Sequence, residues 1–262
     1  MVEETLFYFA GGDDRMQAAR ACLERRGLRC AEAPGPGVTH LILPLPAFQE
    51  AGIITNGPAL DDLLEALPEK LSILGGKLGA AGAALADRGY PVLDYFADEQ
   101  LTAENAAITA EGAIQLAMEA LPVTLWGSEV LVLGWGRIGQ LLCRRLTGLG
   151  ARVTAAARRP RDRAMIEALG LRSEETGVYH RSLSQYRVIF NTVPAEVLTP
   201  AQAAQTWPDC LLVELSTGGR MASAGRQHIQ AGGLPGKIAP ETAGACIGRA
   251  ILRLLPENKE VL

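Results

Sequence analysis

The sequence predicts an α/β protein of two Rossmann-like parallel-sheet domains with a cleft between them. Short apolar runs alternate with helical ones along all 262 residues, the pattern of parallel sheets flanked by helices. A full glycine fingerprint, Gly134-Trp135-Gly136-Arg137-Ile138-Gly139, stands between one such run and one such helix. The length suits two domains of ordinary size.

Taken in order, "TLFYFA" is the first strand, and it ends in Gly11-Gly12. Asp13 or Asp14 then caps a helix whose Met16, Ala19 and Leu23 share a face and which stops at Gly27. "THLILPLP", "KLSIL" and "YPVLDYF" are further strands of this first domain, residues 1–122. A helix expected from near Thr109 to before Pro122 presents Ile114, Ala117, Met118 and Leu121 on one buried face. After the turn at Trp126-Gly127-Ser128 the second domain, residues 123–262, opens with the strand "EVLVL". The helix beyond the fingerprint places Ile138, Leu141, Leu142, Leu146 and Leu149 together. "RVTAAA", "RVIFNTVP" and "CLLVEL" are its later strands. A last helix near Pro240–Leu255 is expected to return toward the first domain, by analogy with two-domain enzymes of this build.

Composition narrows the function. Lys and Arg number 25 against 29 Asp and Glu, a net charge of −4 that gives no pull toward nucleic acid or an anionic membrane. No apolar run reaches membrane-spanning length, and the acidic start is unlike a signal peptide, so a cytoplasmic protein is expected. The five cysteines (Cys22, Cys30, Cys143, Cys210, Cys246) are scattered without a C-x-x-C pair, which implies neither a zinc site nor a disulfide framework. They read as small apolar side chains.

The fingerprint carries the chemistry. Gly134 allows the tight turn, Gly136 lets backbone approach a pyrophosphate, and Gly139 lets helix and strand pack closely. Helix N–H groups and the helix dipole then hold the phosphates. An NAD site places an acid at the end of the second strand, whereas here stands Ala155-Ala156-Ala157-Arg158-Arg159. A guanidinium pairs with a 2′-phosphate that a carboxylate repels, so NADP is preferred over NAD. Arg158 is placed first and Arg159 second, with Arg161 and Arg163 nearby; a solvated basic face is the competing reading. Ligands of doubly wound sheets lie beyond the carboxyl ends of the strands. Asn191-Thr192-Val193-Pro194, Glu214–Gly219 and Leu234–Gly244, read as a Pro/Gly-punctuated loop, are therefore expected near the nicotinamide.

"GGDDR" at Gly11–Arg15, "TAEG" at Thr109–Gly112, "VLGWGRIG" at Val132–Gly139, "AARR" at Ala156–Arg159, "NTVPA" at Asn191–Ala195 and "LPGKIAPETAG" at Leu234–Gly244 together resemble the A subunits of dipicolinate synthases. The resemblance runs over nearly the whole chain, although Thr217 stands where the family usually has proline. It implies NADP-dependent oxidation of a dihydrodipicolinate-type intermediate of the lysine pathway to pyridine-2,6-dicarboxylate. It also implies partnership with a flavoprotein-like B subunit in spore-forming bacteria, and an oligomeric assembly is expected.

Such a reaction needs cations for two carboxylates and one base. Arg15 is the candidate for one carboxylate, and Lys77 or Lys237 for the other. Thr109 and Thr242 complete the substrate set, and Glu111 is the candidate base unless it only favours a helix N-terminus by its charge. His40, His180 and His228 stand in no recognisable catalytic setting, and no metal-ligand spacing is present. A 2-hydroxyacid dehydrogenase is the first alternative, with sparse histidines against it. A non-catalytic NADP-binding assembly subunit is the second.

Overall fold

The computed structural model describes residues 5–50, 52–178 and 183–255. The chain divides into two compact units, Met1–Asn105 with Gly236–Leu262, and Ala106–Pro235.

The first unit opens with β1 (Leu6–Phe9), α1 (Asp14–Glu24), β2 (Arg29–Ala31) and β3 (His40–Ile42). A small antiparallel pair, β4 (Phe48–Glu50) and β5 (Ile53–Ile54), precedes α2 (Leu60–Glu65). Then come β6 (Ser72–Gly75), α3 (Gly79–Asp87) and β7 (Val92–Asp94). The five-stranded sheet has the order β2-β1-β3-β6-β7, and its pairings are parallel. This is one of the two common doubly wound orders, whose switch point lies between β1 and β3. Leu41, Leu43, Ile54, Ile73 and Leu85 form its dry centre. Helix α1 buries Met16, Ala19 and Leu23, the face its spacing predicts.

Helix α4 (Glu99–Ala120) runs across the division between the units. It starts ten residues ahead of Thr109, because Asp98 Oδ1 accepts the Leu101 N–H at 2.7 Å and begins the helix there. Thr109 and Glu111 therefore stand in mid-helix, and Glu111 is no N-terminal charge. Met118, assigned to the buried face, is 57% exposed.

The second unit continues with β8 (Glu129–Leu133), α5 (Arg137–Gly148), β9 (Arg152–Ala157), α6 (Pro160–Ala168), β10 (Arg172–Glu175) and β11 (Val188–Asn191). It closes with β12 (Glu196–Leu198), α7 (Pro200–Ala203), β13 (Leu211–Glu214), β14 (Arg220–Met221) and β15 (His228–Gln230); α8 (Leu234–Ile238) begins in this unit and ends in the first. Its parallel sheet runs β10-β9-β8-β11-β13-β15, with β12 and β14 paired apart. Numbered within the sheet this is 3-2-1-4-5-6, the Rossmann order, with its switch point between β8 and β11. Helix α5 buries Gly139, Leu142, Cys143 and Leu146, whereas Leu149 is 43% exposed. The apolar stripe is therefore rotated from the expected one.

The stretch from Leu234 is not a loop. It folds as α8 and passes at once into α9 (Pro240–Leu254), which belongs to the first unit. Helix α9 lies on α1 through glycines. A methyl group on Gly244 would meet Ala18 Cβ at 2.6 Å, and one on Gly248 would meet Cys22 Cβ at 2.6 Å. The far end is fixed by Arg253, whose Nε and Nη2 donate to Asp98 at 3.0 and 2.6 Å.

Candidate functional site

The glycine fingerprint is the β8–α5 turn at the switch point of the second sheet. Gly134 has φ +105°, a left-handed conformation that disfavours any side chain. A Cβ there would also strike Thr192 Oγ1 and lie 2.9 Å from Val193 Cγ2. A Cβ on Gly139 would collide with the Gly134 carbonyl. At Gly136 a Cβ would meet nothing within 4 Å. Gly136 is also the N-cap of α5, and no side chain caps that helix. Two glycines thus serve close packing, and the third leaves open space before a helix N-terminus that no N-cap side chain occupies. A pyrophosphate fits this cradle. Trp135 offers its carbonyl to Gln140 Nε2 at 3.1 Å, Ile138 is half-buried, and Arg137 is exposed.

At the carboxyl end of β9, Arg158 and Arg159 are exposed, and neither has an ion-pair partner among the described residues. Arg163 is occupied within the fold, where its Nη1 donates to the carbonyls of Ala157 and Arg158 at 3.2 and 3.1 Å. Arg161 lies 3.6 Å from Asp162. One acid does approach this edge. Glu175 of β10 sits opposite Ala157 in register, 3.8 Å from Arg163 Nη2. Reading along the β9 strand alone cannot reveal it, since it arrives from the neighbouring strand.

Beyond β11, Thr192 Oγ1 donates to the Leu133 carbonyl at 2.8 Å, which ties this loop to the end of β8. Pro194 is exposed. Asn191 is fully buried, so its amide faces no ligand. It donates to both oxygens of Glu214, at 3.0 and 2.9 Å, and to the Val193 carbonyl at 3.0 Å. Glu214 is 1% exposed, and the sequence marks it only as the start of the segment Glu214–Gly219. Its signal is an acid closing the apolar strand "CLLVEL". Burial pushes its carboxyl above the usual range, while the Asn191 amide and the Ser216 N–H pull it back.

In the first unit, Arg15 stands at the β1–α1 turn, also a switch point. Asp13 caps α1 by accepting the Arg15 N–H at 3.1 Å. The Arg15 guanidinium turns back on the same carboxylate, and its Nη2 donates to the Leu45 carbonyl at 2.6 Å beyond β3. Its side chain is 13% exposed. Lys77 follows β6 at φ +55°, held by Asp94 Oδ1, which accepts its N–H at 3.1 Å. Its Nζ lies 5.0 Å from the centre of the Phe96 ring. Lys237 on α8 and Thr242 in the first turn of α9 are exposed.

Thr109 is buried within α4. Glu111 lies in the second unit, where its carboxylate takes a bond from Arg145 Nη2 of α5 at 3.1 Å. His40 is half-buried at the opposite, amino edge of the first sheet, where burial lowers its pKa; its Nδ1 lies 2.9 Å from Thr39 Oγ1. His228 begins β15, and His180 lies outside the described residues. Among the described residues, no group of three or more His, Cys, Asp or Glu is placed to hold a metal ion, and no helix is long and apolar enough to cross a membrane. The five cysteines are free, and burial pushes the Cys143 thiol up to about 12.

Residues 99–201 match the NAD binding domain of D-isomer specific 2-hydroxyacid dehydrogenases. The A subunit of dipicolinate synthase of Bacillus subtilis (strain 168) is 28% identical over 239 residues, covering 86% of this chain and 80% of that protein. The crystal structure of the corresponding A subunit from Bacillus halodurans superposes with a TM-score of 0.85 at 24% identity, covering 98% of this chain and 99% of the other. The A chain of dipicolinate synthase from Bacillus subtilis does so with a TM-score of 0.85 at 25% identity, covering 99% and 98%. The chain is thus a relative of the dipicolinate synthase A subunits, an oxidoreductase-like protein with a nicotinamide-nucleotide domain of the 2-hydroxyacid dehydrogenase type.

Proposed function

We propose that the chain oxidises a dihydrodipicolinate-type ring to pyridine-2,6-dicarboxylate with NADP in the cytoplasm, as the A subunit beside a flavoprotein-like B subunit. The cradle carries this reading: open space at Gly136 before a helix N-terminus without a side-chain cap, with Arg158, which has no ion-pair partner among the described residues, at the end of the next strand. The relative's name supplies the product class.

In this reading the backbone from Gly134 to Gly139 holds the pyrophosphate, and Arg158, with Arg159 beside it, holds the 2′-phosphate. Thr192 and Pro194 border the nicotinamide half. Bound there, NADP would supply the acceptor for a hydride leaving a ring carbon. The ring also loses one proton, and the gain of aromaticity draws the reaction forward. Arg15 grips one carboxylate, and Lys77 or Lys237 the other. Glu111 takes the proton, which requires its pair with Arg145 to open. Thr109 supports that helix from within, and Thr242 contacts the ring.

One observation favours a second reading. The carboxylate of Glu111 and two guanidinium nitrogens of Arg15 are already committed to partners within the chain. An NADP-binding assembly subunit, with the catalytic groups on its partner, would show this. The test is NADPH absorbance with enzymatically generated dihydrodipicolinate, with and without the B subunit. NADP-dependent turnover by the chain alone supports the enzyme. Nucleotide binding with turnover only in the complex supports the assembly reading.

A further inference from the structure

Glu214 is a buried acid without a salt-bridge partner among the described residues, and the proposed chemistry does not use it. Within that set its oxygens accept only from amides: Asn191 Nδ2 at 3.0 and 2.9 Å, and the Ser216 N–H at 2.9 Å. Three N–H···O contacts and no hydroxyl acceptor suit the ionised carboxylate. Asn191 carries the constraint onward. Its Oδ1 accepts the Val193 N–H at 2.8 Å while its Nδ2 donates to the Val193 carbonyl at 3.0 Å, so both backbone groups of Val193 are fixed. Val193 and Thr192 in turn border Gly134, where an added Cβ would lie 2.9 Å from Val193 Cγ2. Gly219 closes the cluster: a Cβ there would stand 2.5 Å from Glu214 Oε1 and 2.8 Å from both Asn191 Nδ2 and the Val193 carbonyl. One carboxylate thereby ties the turns that follow β11 and β13 to each other and seats the first of them against the fingerprint.

The strand order gives this cluster a directional role. Adenosine lies over β8 and β9 in a sheet of this order, and the other half of the dinucleotide lies across the switch point, over β11 and β13. We infer that Glu214 is a positioning residue for the nicotinamide half of the cofactor, acting through Asn191 on the 192–195 turn. The inference rests on the cradle being the dinucleotide site.

Titration of the purified chain with NADP and with 2′-phospho-ADP-ribose, which lacks nicotinamide, tests it. Glu214→Gln turns an acceptor into a donor facing the Asn191 amide, and Gly219→Ala displaces the cluster with the acid retained. The expected result in both variants is NADP affinity weakened about tenfold, one lost charge-assisted bond, with binding of 2′-phospho-ADP-ribose unchanged. If both ligands weaken equally in the variants, Glu214 serves only general stability and the inference fails; unchanged NADP affinity in either folded variant overturns it too. If Glu214→Gln does not fold, Gly219→Ala decides. Failure of the starting protein to bind either ligand would instead overturn the cradle itself.

Discussion

Arg15 and Asp13 grip each other within one helical turn: Nε lies 2.9 and 3.0 Å from the two Asp13 oxygens, and Nη2 lies 2.8 Å from Oδ2. The pair fixes the guanidinium at the switch point of the first sheet. Gly236 packs on it so closely that a Cβ would stand 2.8 Å from Nε. Nη1 is the nitrogen left without a partner among the described residues, the donor that the proposed substrate carboxylate would meet.

Arg15→Ala is expected to lower dihydrodipicolinate oxidation by two or more orders of magnitude, on the order of 3 kcal/mol, with NADP affinity unchanged. The cap survives the change, since Asp13 also accepts the backbone N–H of residue 15. Steady-state kinetics alongside nucleotide titration check it. Full activity would remove Arg15 from the site.

The fingerprint glycines should separate by role. Gly136→Val meets open space in the protein, so the variant is expected to fold as well as the parent and to lose nucleotide binding. Gly134→Ala meets strain at φ +105° and Thr192 Oγ1, and is expected to lower stability by about 1–3 kcal/mol. Thermal unfolding and nucleotide titration of both variants distinguish the two. A Gly136→Val protein that still binds NADP would make the turn purely structural.

Arg158→Ala is expected to narrow the preference for NADP over NAD by about 1.5–3 kcal/mol, the scale of a hydrogen bond to a charged group. Equal affinities of the starting protein for both nucleotides would contradict the assignment.

The Asp98–Arg253 pair gives a pH signature. Two bonds from Arg253 hold the Asp98 carboxyl below its ordinary value of 3.8, with the Leu101 N–H adding to the effect. Its folded-state pKa is lowered, so its contribution is full above the unfolded value and disappears as pH falls through the folded one. Asp98→Asn should therefore cost stability at neutral pH, about 1–2 kcal/mol, the scale of a charge-assisted bond discounted for partial exposure. The gap to the parent protein should shrink below pH 3.8. Chemical denaturation across acid pH reads this directly, and a gap independent of pH would contradict it.

Much of this was legible in the chain. The strand "RVTAAA" spans Arg152–Ala157 as β9, and α1 buries the three residues its spacing selects. The turn at Gly134 and the close approach at Gly139 were legible because each answers a local demand: a left-handed backbone and tight helix–strand packing. Parts set by tertiary contact were not legible. The start of α4 rests on Asp98, whose acidic side chain is doubly engaged, by a helix cap and by a distant arginine. Met118 and Leu149 follow helical spacing yet stay exposed, because periodicity names a stripe and not what covers it. The Asn191–Glu214 pair joins residues on neighbouring strands, a proximity that no local motif encodes.

The most direct test of the central claim is the stoichiometry of the reaction. Starting from enzymatically generated dihydrodipicolinate and NADP, NADPH is followed by absorbance and pyridine-2,6-dicarboxylate is quantified in the same samples, with the chain alone and with the B subunit. The expected result is equal molar amounts of the two products from the chain alone, abolished by Gly136→Val. Dipicolinate forming at the rate of the enzyme-free control, with no NADPH produced in either preparation, would contradict the account.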